Sequence, residues 1–312
     1  MIIALLTGGL GNQFFQYAMG RRLAVQHGTE LLLDTRGYSI DGEERPRGLE
    51  AFRRHLSLLQ FSIKARPATD EEIAEVRDEF LSFSIRDRLV RIVRKVNQGF
   101  LWKESHIVER KYGFERNALS LPNNIYLQGY WQSEKYFLDI EKLIRQELQP
   151  IDKSIGERAK RAVESLKNRY GRVVSLHVRR GDLSHAHEVL KKPTITHAEP
   201  ISGEYIKEAL KQFDDDTCFF VFSDTPKDIQ WCRENIRARR IEFSNAESEL
   251  WDFVAMSSCD DNIIANSTFS WWAAWLNQRR GRRVIAPRTW SVPGSKFYMS
   301  TEDLIPTSWQ ML

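Results

Sequence analysis

Cysteine is scarce in this chain. Cys218, Cys232 and Cys259 are odd in number and widely spaced, with no C-x-x-C pair. That excludes a disulfide framework and a zinc knuckle and fits a reducing compartment. Long apolar runs are also missing. The opening Met1–Leu6 run breaks at Gly8-Gly9 and lacks a basic flank, so it is too short for a membrane span and wrong for a signal peptide. On this reading the protein is cytoplasmic. Neither charge dominates: 46 basic residues are interspersed with 42 acidic ones, a net charge of +4, which gives no uniform stripe for nucleic acid. No short-period repeat or low-complexity segment is present, and the one glycine-rich motif, Gly9-x-Gly11, has Phe14 where a dinucleotide fingerprint would carry its third glycine.

What is there is the alternation of an α/β protein. A length of 312 residues and 42% hydrophobic content suit about two globular domains, on a scale of roughly 150 residues each. Ile2–Leu6 reads as a buried strand, 8–13 as a tight loop, Phe14–His27 as a helix and Glu30–Asp34 as a second strand, the opening of a parallel domain. Residues 36–125 are less regular, and Tyr126–Trp131 reads as a late strand and loop. The second half repeats the rhythm, with strands at 173–178, 218–222, 240–243, 262–265 and 283–286 separated by helices near 203–213, 226–236, 247–257 and 268–279. This implies a doubly wound sheet, with the domains divided as 1–160 and 161–312.

If those strands are parallel, their carboxyl ends share one rim, and three loops meet there. The first is His177-Val178-Arg179-Arg180-Gly181-Asp182. An arginine fork matches phosphate oxygens two at a time, so a phosphorylated ligand is expected; a surface salt-bridge cluster is the competing account. The second is Ser223-Asp224-Thr225. Asp224 is either an Asx cap of the helix after Pro226 or, as an acceptor-only carboxylate, a partner for the N–H and NH2 of a guanine edge. The third is Asn266-Ser267-Thr268, with Ser267 or Thr268 as the cap of a helix whose N-terminal N–H groups offer a second anion site. In that helix Trp271, Trp272 and Trp275 follow the inner stripe, Arg279-Arg280 fall in the last turn and Gly281 stops it. The acidic groups Asp214–Asp216 and Asp260-Asp261 precede strands, on the opposite edge, and read as turns and solubility, with no metal ligands among the site residues.

At the N-terminus, Gly8, Gly9 and Gly11 let the backbone approach a ligand, while Asn12 and Gln13 supply amides for sugar hydroxyls or phosphate. A plain tight turn with Asn12 capping the helix is compatible with the same residues. Asp34 stands where a ribose-binding acid would, which keeps a nicotinamide enzyme as the rival reading. A non-catalytic GDP-sugar-binding module is a second alternative.

Taken together, Gly8–Tyr17, the His177–Asp182 hexapeptide, Phe222-Ser223-Asp224 and Asn266–Ala273 resemble the bacterial α-1,2-fucosyltransferases of glycosyltransferase family 11, in order over residues 1 to about 290. The resemblance implies a GT-B fold of two facing Rossmann-like domains, the first acceptor-side and the second binding the donor. It also implies GDP-L-fucose as donor substrate with no further cofactor, inversion at the anomeric carbon without a metal, and a terminal galactose of an O-antigen or other surface glycan as acceptor. Carried over by position, Arg179 holds the pyrophosphate, His177 lies near the nucleoside, Asp224 reads guanine, and Ser267, Thr268 and Ser270, after Asn266, form the phosphate-binding turn. Asp182 is the expected base or the group that orients Arg179, with Glu188 and His197 as substitutes. Arg86, Arg88, Arg91, Arg94 and Lys95 alternate with apolar residues at helical spacing, so peripheral contact with an anionic membrane is a further expectation beside an ordinary surface helix.

Overall fold

The computed structural model describes residues 1–38, 55–77, 104–110, 112–180, 201–245, 247–291 and 300–312. Asp182, Glu188, His197 and the basic stretch 86–95 lie outside the described residues.

The chain divides into two compact units: Met1–Leu59 with Ile63–Glu147, and Gln60–Ser62 with Leu148–Leu312. In the first, β1 (Ile2–Leu5), β2 (Leu31–Asp34), β3 (Arg66–Pro67), β4 (His106–Val108) and β5 (Ile125–Gln128) form a parallel sheet in the order β3-β2-β1-β5-β4. The β1 and β2 residues are almost all fully buried, as expected of a strand with helices on both faces. Helix α1 (Leu10–His27) packs along the sheet, and Gly28 ends it in the left-handed conformation that glycine adopts freely. Helices α2 (Asp70–Val76) and α3 (Glu141–Glu147) complete the unit. Glu147 pins α3 to α1: its buried carboxylate accepts from Tyr17 Oη at 2.5 Å and from Arg21 Nη2 at 2.8 Å.

The second unit carries β6 (Val173–Val178), β7 (Cys218–Ser223), β8 (Arg240–Phe243), β9 (Asp261–Ile263), β10 (Val284–Ala286) and β11 (Gln310–Met311), all parallel, in the order β11-β10-β9-β6-β7-β8. Numbered from β6, this is the 3-2-1-4-5-6 order of a dinucleotide-binding fold, and the order reverses between β6 and β9. Around the sheet lie α4 (Lys153–Tyr170), α5 (Gly203–Leu210), α6 (Pro226–Asn235), α7 (Glu249–Ser258), α8 (Thr268–Leu276) and α9 (Thr301–Leu304). The α/β class and the two Rossmann-like units expected of a GT-B chain are therefore present.

Four details depart from the sequence reading. A boundary at 160 would cut α4, a single amphipathic helix capped by Asp152 that turns Gly156, Ala159 and Val163 inward and packs on α7. The contact boundary falls before it, after Glu147. Helix α1 begins at Leu10, with Gly9 as its cap, so most of the expected loop 8–13 is its first turn. Helix α8 ends at Leu276, and Arg279 lies beyond it, paired with Asp260 at 2.6 Å. Asp260 and Asp261 are no solvated turn: both are buried, Asp260 also meeting Lys167 at 3.3 Å and Asp261 accepting from Arg172 Nε at 2.7 Å. Buried carboxylates need such partners, and these come from distant segments that spacing alone does not reveal.

The expected inner face of α8 holds. Trp271, Trp272 and Trp275 are buried, Trp271 lies parallel to Trp275 at 6.2 Å, and its Nε1 donates to Leu304 O at 2.9 Å. All three cysteines are free and buried, and burial pushes the thiols of Cys218 and Cys232 up to about 12.

Candidate active site

In an open parallel sheet, ligands collect beyond the carboxyl ends of the strands at the point where strand order reverses. In the second unit that point lies between β6 and β9, and the three expected loops open there. His177 is the penultimate residue of β6 and is buried. Its Nε2 lies 3.9 Å from Asp224 Oδ1, just past β7, and its ring lies 5.9 Å from Phe269 in the first turn of α8. Its Nδ1 is buried with no hydrogen-bond partner among the described residues. Ser223 ties β7 to β6 by donating to Val178 O. The loops are thus held together by the β6–β7 register, Val178 opposite Ser223, together with the ring contact to α8.

The choice left open for Asp224 resolves in part. The cap of α6 is Thr225, whose Oγ1 accepts from Asp228 N at 3.2 Å, with Pro226 in the first turn. Asp224 is not the cap, and its side chain is 39% exposed at the rim. The Arg180 guanidinium lies 3.9 Å from the centroid of the Trp231 ring, a cation–π contact. Arg179 directly follows β6, at the switch point itself.

At α8, Ser267 is the N-cap by backbone conformation, yet its hydroxyl makes no capping hydrogen bond. The helix N-terminus therefore opens at the rim without a side-chain cap, the condition under which first-turn N–H groups can receive an external anion. Ser270 is buried and donates to Ser267 O at 3.2 Å, and Asn266 Nδ2 donates to Trp290 O at 3.3 Å, so both shape the turn from within.

Sequence reasoning missed one group here. Asp252, in the first turn of α7, is buried and accepts from Ser244 Oγ at 2.5 Å, Ser244 being the residue after β8. Burial pushes its carboxyl up to about 6, against the Ser244 hydrogen bond and the charge of His177 that favour ionisation, while Asp224 pushes it further up. An acid inside the apolar run Leu250-Trp251-Asp252-Phe253-Val254 was the available signal.

The glycine loop belongs to the first unit. Gly8 sits at φ +79°, where a side chain would be strained and would collide with the Asn12 amide. Gly9 caps α1 with open space where a Cβ would lie, and Gly11 is buried in the first turn. Asn12 Oδ1 accepts from Gln132 Nε2 at 2.9 Å. Gln13 is not available for a ligand as expected: it is buried, its Nε2 donates to Gly8 O and His55 O, and its Oε1 accepts from Leu58 N. The nicotinamide reading fails at Asp34. That carboxylate is buried and taken up by Arg36 at 2.9 Å and by Tyr126 Oη at 2.7 Å. Burial pushes it up, but those hydrogen bonds prevail and hold it below the ordinary carboxylate range.

Known proteins match this chain along its whole length. The family model "Glycosyl transferase family 11" covers residues 1–312. An α-1,2-colitosyltransferase of Escherichia coli is 30% identical over 99% of this chain and 98% of its own. The O-antigen biosynthesis glycosyltransferase WbnK of Escherichia coli is 30% identical over 96% of this chain and 98% of its own. Among solved structures, POFUT1 in complex with GDP is 12% identical, with a TM-score of 0.48 over 91% of this chain and 96% of that one. No helix among the described residues is long and apolar enough to cross a membrane. With the family model matched from end to end, the chain belongs to glycosyl transferase family 11.

Proposed function

We propose that this enzyme moves L-fucose from GDP-L-fucose to the 2-hydroxyl of a terminal galactosyl residue, with inversion, in the assembly of an O-antigen or other surface glycan. The observation that carries the reading is the second unit's switch-point rim, where buried His177, Arg179 and the α8 N-terminus without a side-chain cap stand together at the ends of β6 and β9. A diphosphate is the ligand this chemistry fits: a fork of fixed N–H donors beside a positive helix end. Arg179 and the turn Asn266-Ser267-Thr268-Ser270 take the pyrophosphate, His177 the nucleoside, and Asp224 with Asp252 the donor edge of guanine. Asp182, the base or the group orienting Arg179 on the sequence reading, lies outside the described residues. Gly9, Gly11 and Asn12 border the corresponding strand ends of the first unit, the acceptor side.

In the reaction the acceptor oxygen attacks fucose C1 as the C1–O bond to GDP breaks, through an oxocarbenium-like state. Negative charge grows on the departing phosphate, where Arg179 and the α8 dipole stabilise it. The test is GDP release from GDP-L-fucose by purified enzyme with and without lactose, with the product linkage read by NMR. Lactose-dependent release and an α-1,2 linkage are expected. Release independent of lactose, or none with a fucosyl donor but turnover with a colitosyl donor, would overturn the assignment.

A further inference from the structure

The first unit's sheet also reverses its order, between β1 and β5, and the loop after β5 is arranged around a carboxylate at that edge. Glu109 directly follows β4 and stays in register, its N–H donating to Gln128 O at 2.8 Å. Its side chain accepts from Tyr130 N at 2.6 Å and from Trp131 N at 3.2 Å. A Cβ at position 129 would lie 2.5 Å from Glu109 Cβ and 2.8 Å from Oε2, so only glycine allows the side chain this close. Trp131, buried, is held at φ +55°, a left-handed conformation that a non-glycine residue keeps only where its surroundings fix it. Gln16 fastens this loop to the end of β1, donating to Thr7 Oγ1 and to Gly129 O, and Thr7 in turn meets the Tyr130 hydroxyl. Gln132 Nε2 donates to Asn12 Oδ1 at 2.9 Å, while its Oε1 is buried with no hydrogen-bond partner among the described residues. The rings of Tyr112 and Tyr130, both half-buried, lie 6.3 Å apart at 31°. All of these residues belong to the first unit.

We propose that this edge of the first unit is a sugar-binding subsite for a galactopyranoside, with Glu109 accepting from ring hydroxyls and Tyr112 and Tyr130 covering the apolar face of the ring. The choice of galactose rests on the fucosyltransferase reading above; the choice of a pyranose rests on the side chains. An ionised carboxylate only accepts, and the hydroxyls of a sugar donate. Each Glu109 oxygen, with one backbone N–H bound, keeps a lone pair for such a donor, and half-burial leaves the group reachable. Gln132 Oε1 is a second acceptor on the same loop, which a hydroxyl or a water carried with the sugar satisfies. An axial 4-hydroxyl leaves C3–H, C4–H and C5–H together on one face of galactose, an electropositive apolar patch that suits the negative face of a tyrosine ring. Aromatic walls with a few convergent polar groups are the usual make-up of a small-molecule site. Keeping a carboxylate here also costs the fold. Burial pushes Glu109 up to about 7, against the two backbone N–H bonds and with a smaller push from Glu115, and carboxyls displaced this far gather at functional sites.

The experiment uses the full chain at saturating GDP and reads saturation-transfer NMR of methyl β-D-galactoside against its 4-epimer, methyl β-D-glucoside. KM for lactose and for GDP-L-fucose, and Tm, are measured in wild type, Glu109→Gln, Tyr112→Leu and Tyr112→Phe. Wild type transfers saturation to the galactoside severalfold more strongly than to the glucoside. In Glu109→Gln the lactose KM rises tenfold or more, on the scale of roughly 10–100-fold for a hydrogen bond to a charged group, while KM for GDP-L-fucose stays within about twofold. Tyr112→Leu raises the lactose KM severalfold, and Tyr112→Phe, which keeps the ring, leaves it at the wild-type value. Equal transfer to the two sugars, or none to either, overturns the proposal, as does a lactose KM unchanged in both Glu109→Gln and Tyr112→Leu. Should Glu109→Gln melt early, as a residue that only braces the turn would, the Tyr112 pair decides: the same lactose KM in Tyr112→Leu and Tyr112→Phe overturns the subsite. Absence of lactose-dependent GDP release in wild type refutes the fucosyltransferase reading instead; the NMR comparison needs no transfer of fucose and still decides the subsite.

Discussion

Asp252→Asn separates what a carboxylate of the proposed donor site costs the fold from what it gives the reaction. Asp252 is buried and held at about 6, against an ordinary 3.8, mainly because burial penalises its ionised form. At about 1.36 kcal/mol per pH unit, the ionised carboxylate at neutral pH carries a penalty of about 3 kcal/mol relative to the unfolded chain. The sign follows from proton counting. Between 3.8 and about 6 the native state holds a proton that the unfolded state has released, so stability falls as pH rises through that window and stays lowered above it. Asparagine keeps an oxygen to accept from Ser244 and removes the charge. The variant is therefore expected to match wild type near pH 4 and to melt several degrees higher at pH 7.5, at about 2–4 °C per kcal/mol for a unit of this size. The same substitution turns one acceptor into a donor, so affinity for GDP falls by roughly 10–100-fold if a guanine edge is read there, the worth of a hydrogen bond to a charged group at about 1.5–3 kcal/mol. Scanning calorimetry against pH and titration with GDP check both halves. Melting curves that stay parallel across pH, or a variant that is less stable at pH 7.5, would refute the electrostatic argument; unchanged GDP affinity would remove Asp252 from the nucleotide site.

The same contrast marks how far the sequence was readable. Strands such as Val173–Val178 and Cys218–Ser223 announce themselves as short apolar runs, and parallel order then places His177, Asp224 and Ser267 on one edge without any contact being known. The tryptophans of α8 follow because they recur at helical spacing. What was hidden depends on partners far along the chain. Gln13 looks like a ligand amide until Leu58 and His55 are folded against it. Asp34 looks like a ribose acid until Tyr126 and Arg36 close on it, and Asp260-Asp261 look like a turn until Lys167, Arg172 and Arg279 arrive. Each is a polar group whose role is set by whether burial finds it a partner, and pattern carries no information on that.

Two predictions bear on the donor site directly. Arg179→Lys keeps the charge but loses the planar fork, so turnover is expected to drop by roughly a hundredfold or more, on the scale of about 2.7–4 kcal/mol for losing a donor to a developing charge. Arg180→Ala should change kcat little and show instead as a stability loss of about 0.5–2 kcal/mol from the Trp231 stack. Steady-state kinetics and melting of the two variants check this, and equal losses of turnover would contradict the division of labour. The last prediction is that EDTA leaves most of the activity intact. A cluster of carboxylates serving a metal beside the pyrophosphate would have to stand at the carboxyl ends of β6 and β9, where the second unit's acidic clusters do not lie. The acidic pair on β9 stands at its other end, with Asp260 bound to Lys167 and Arg279 and Asp261 to Arg172, and Asp216 before β7 is paired with Arg240 at 2.8 Å. Asp260 and Asp261 are buried against these partners, so they are already spent on ion pairs at the edge of the sheet away from the pyrophosphate. On the proposed reading, charge on the leaving GDP is met by Arg179 and the α8 N-terminus, neither of which a chelator removes. Loss of activity in EDTA that Mg2+ or Mn2+ restores would overturn this account, whereas modest stimulation by those ions would not, since they also draw product GDP away from the site.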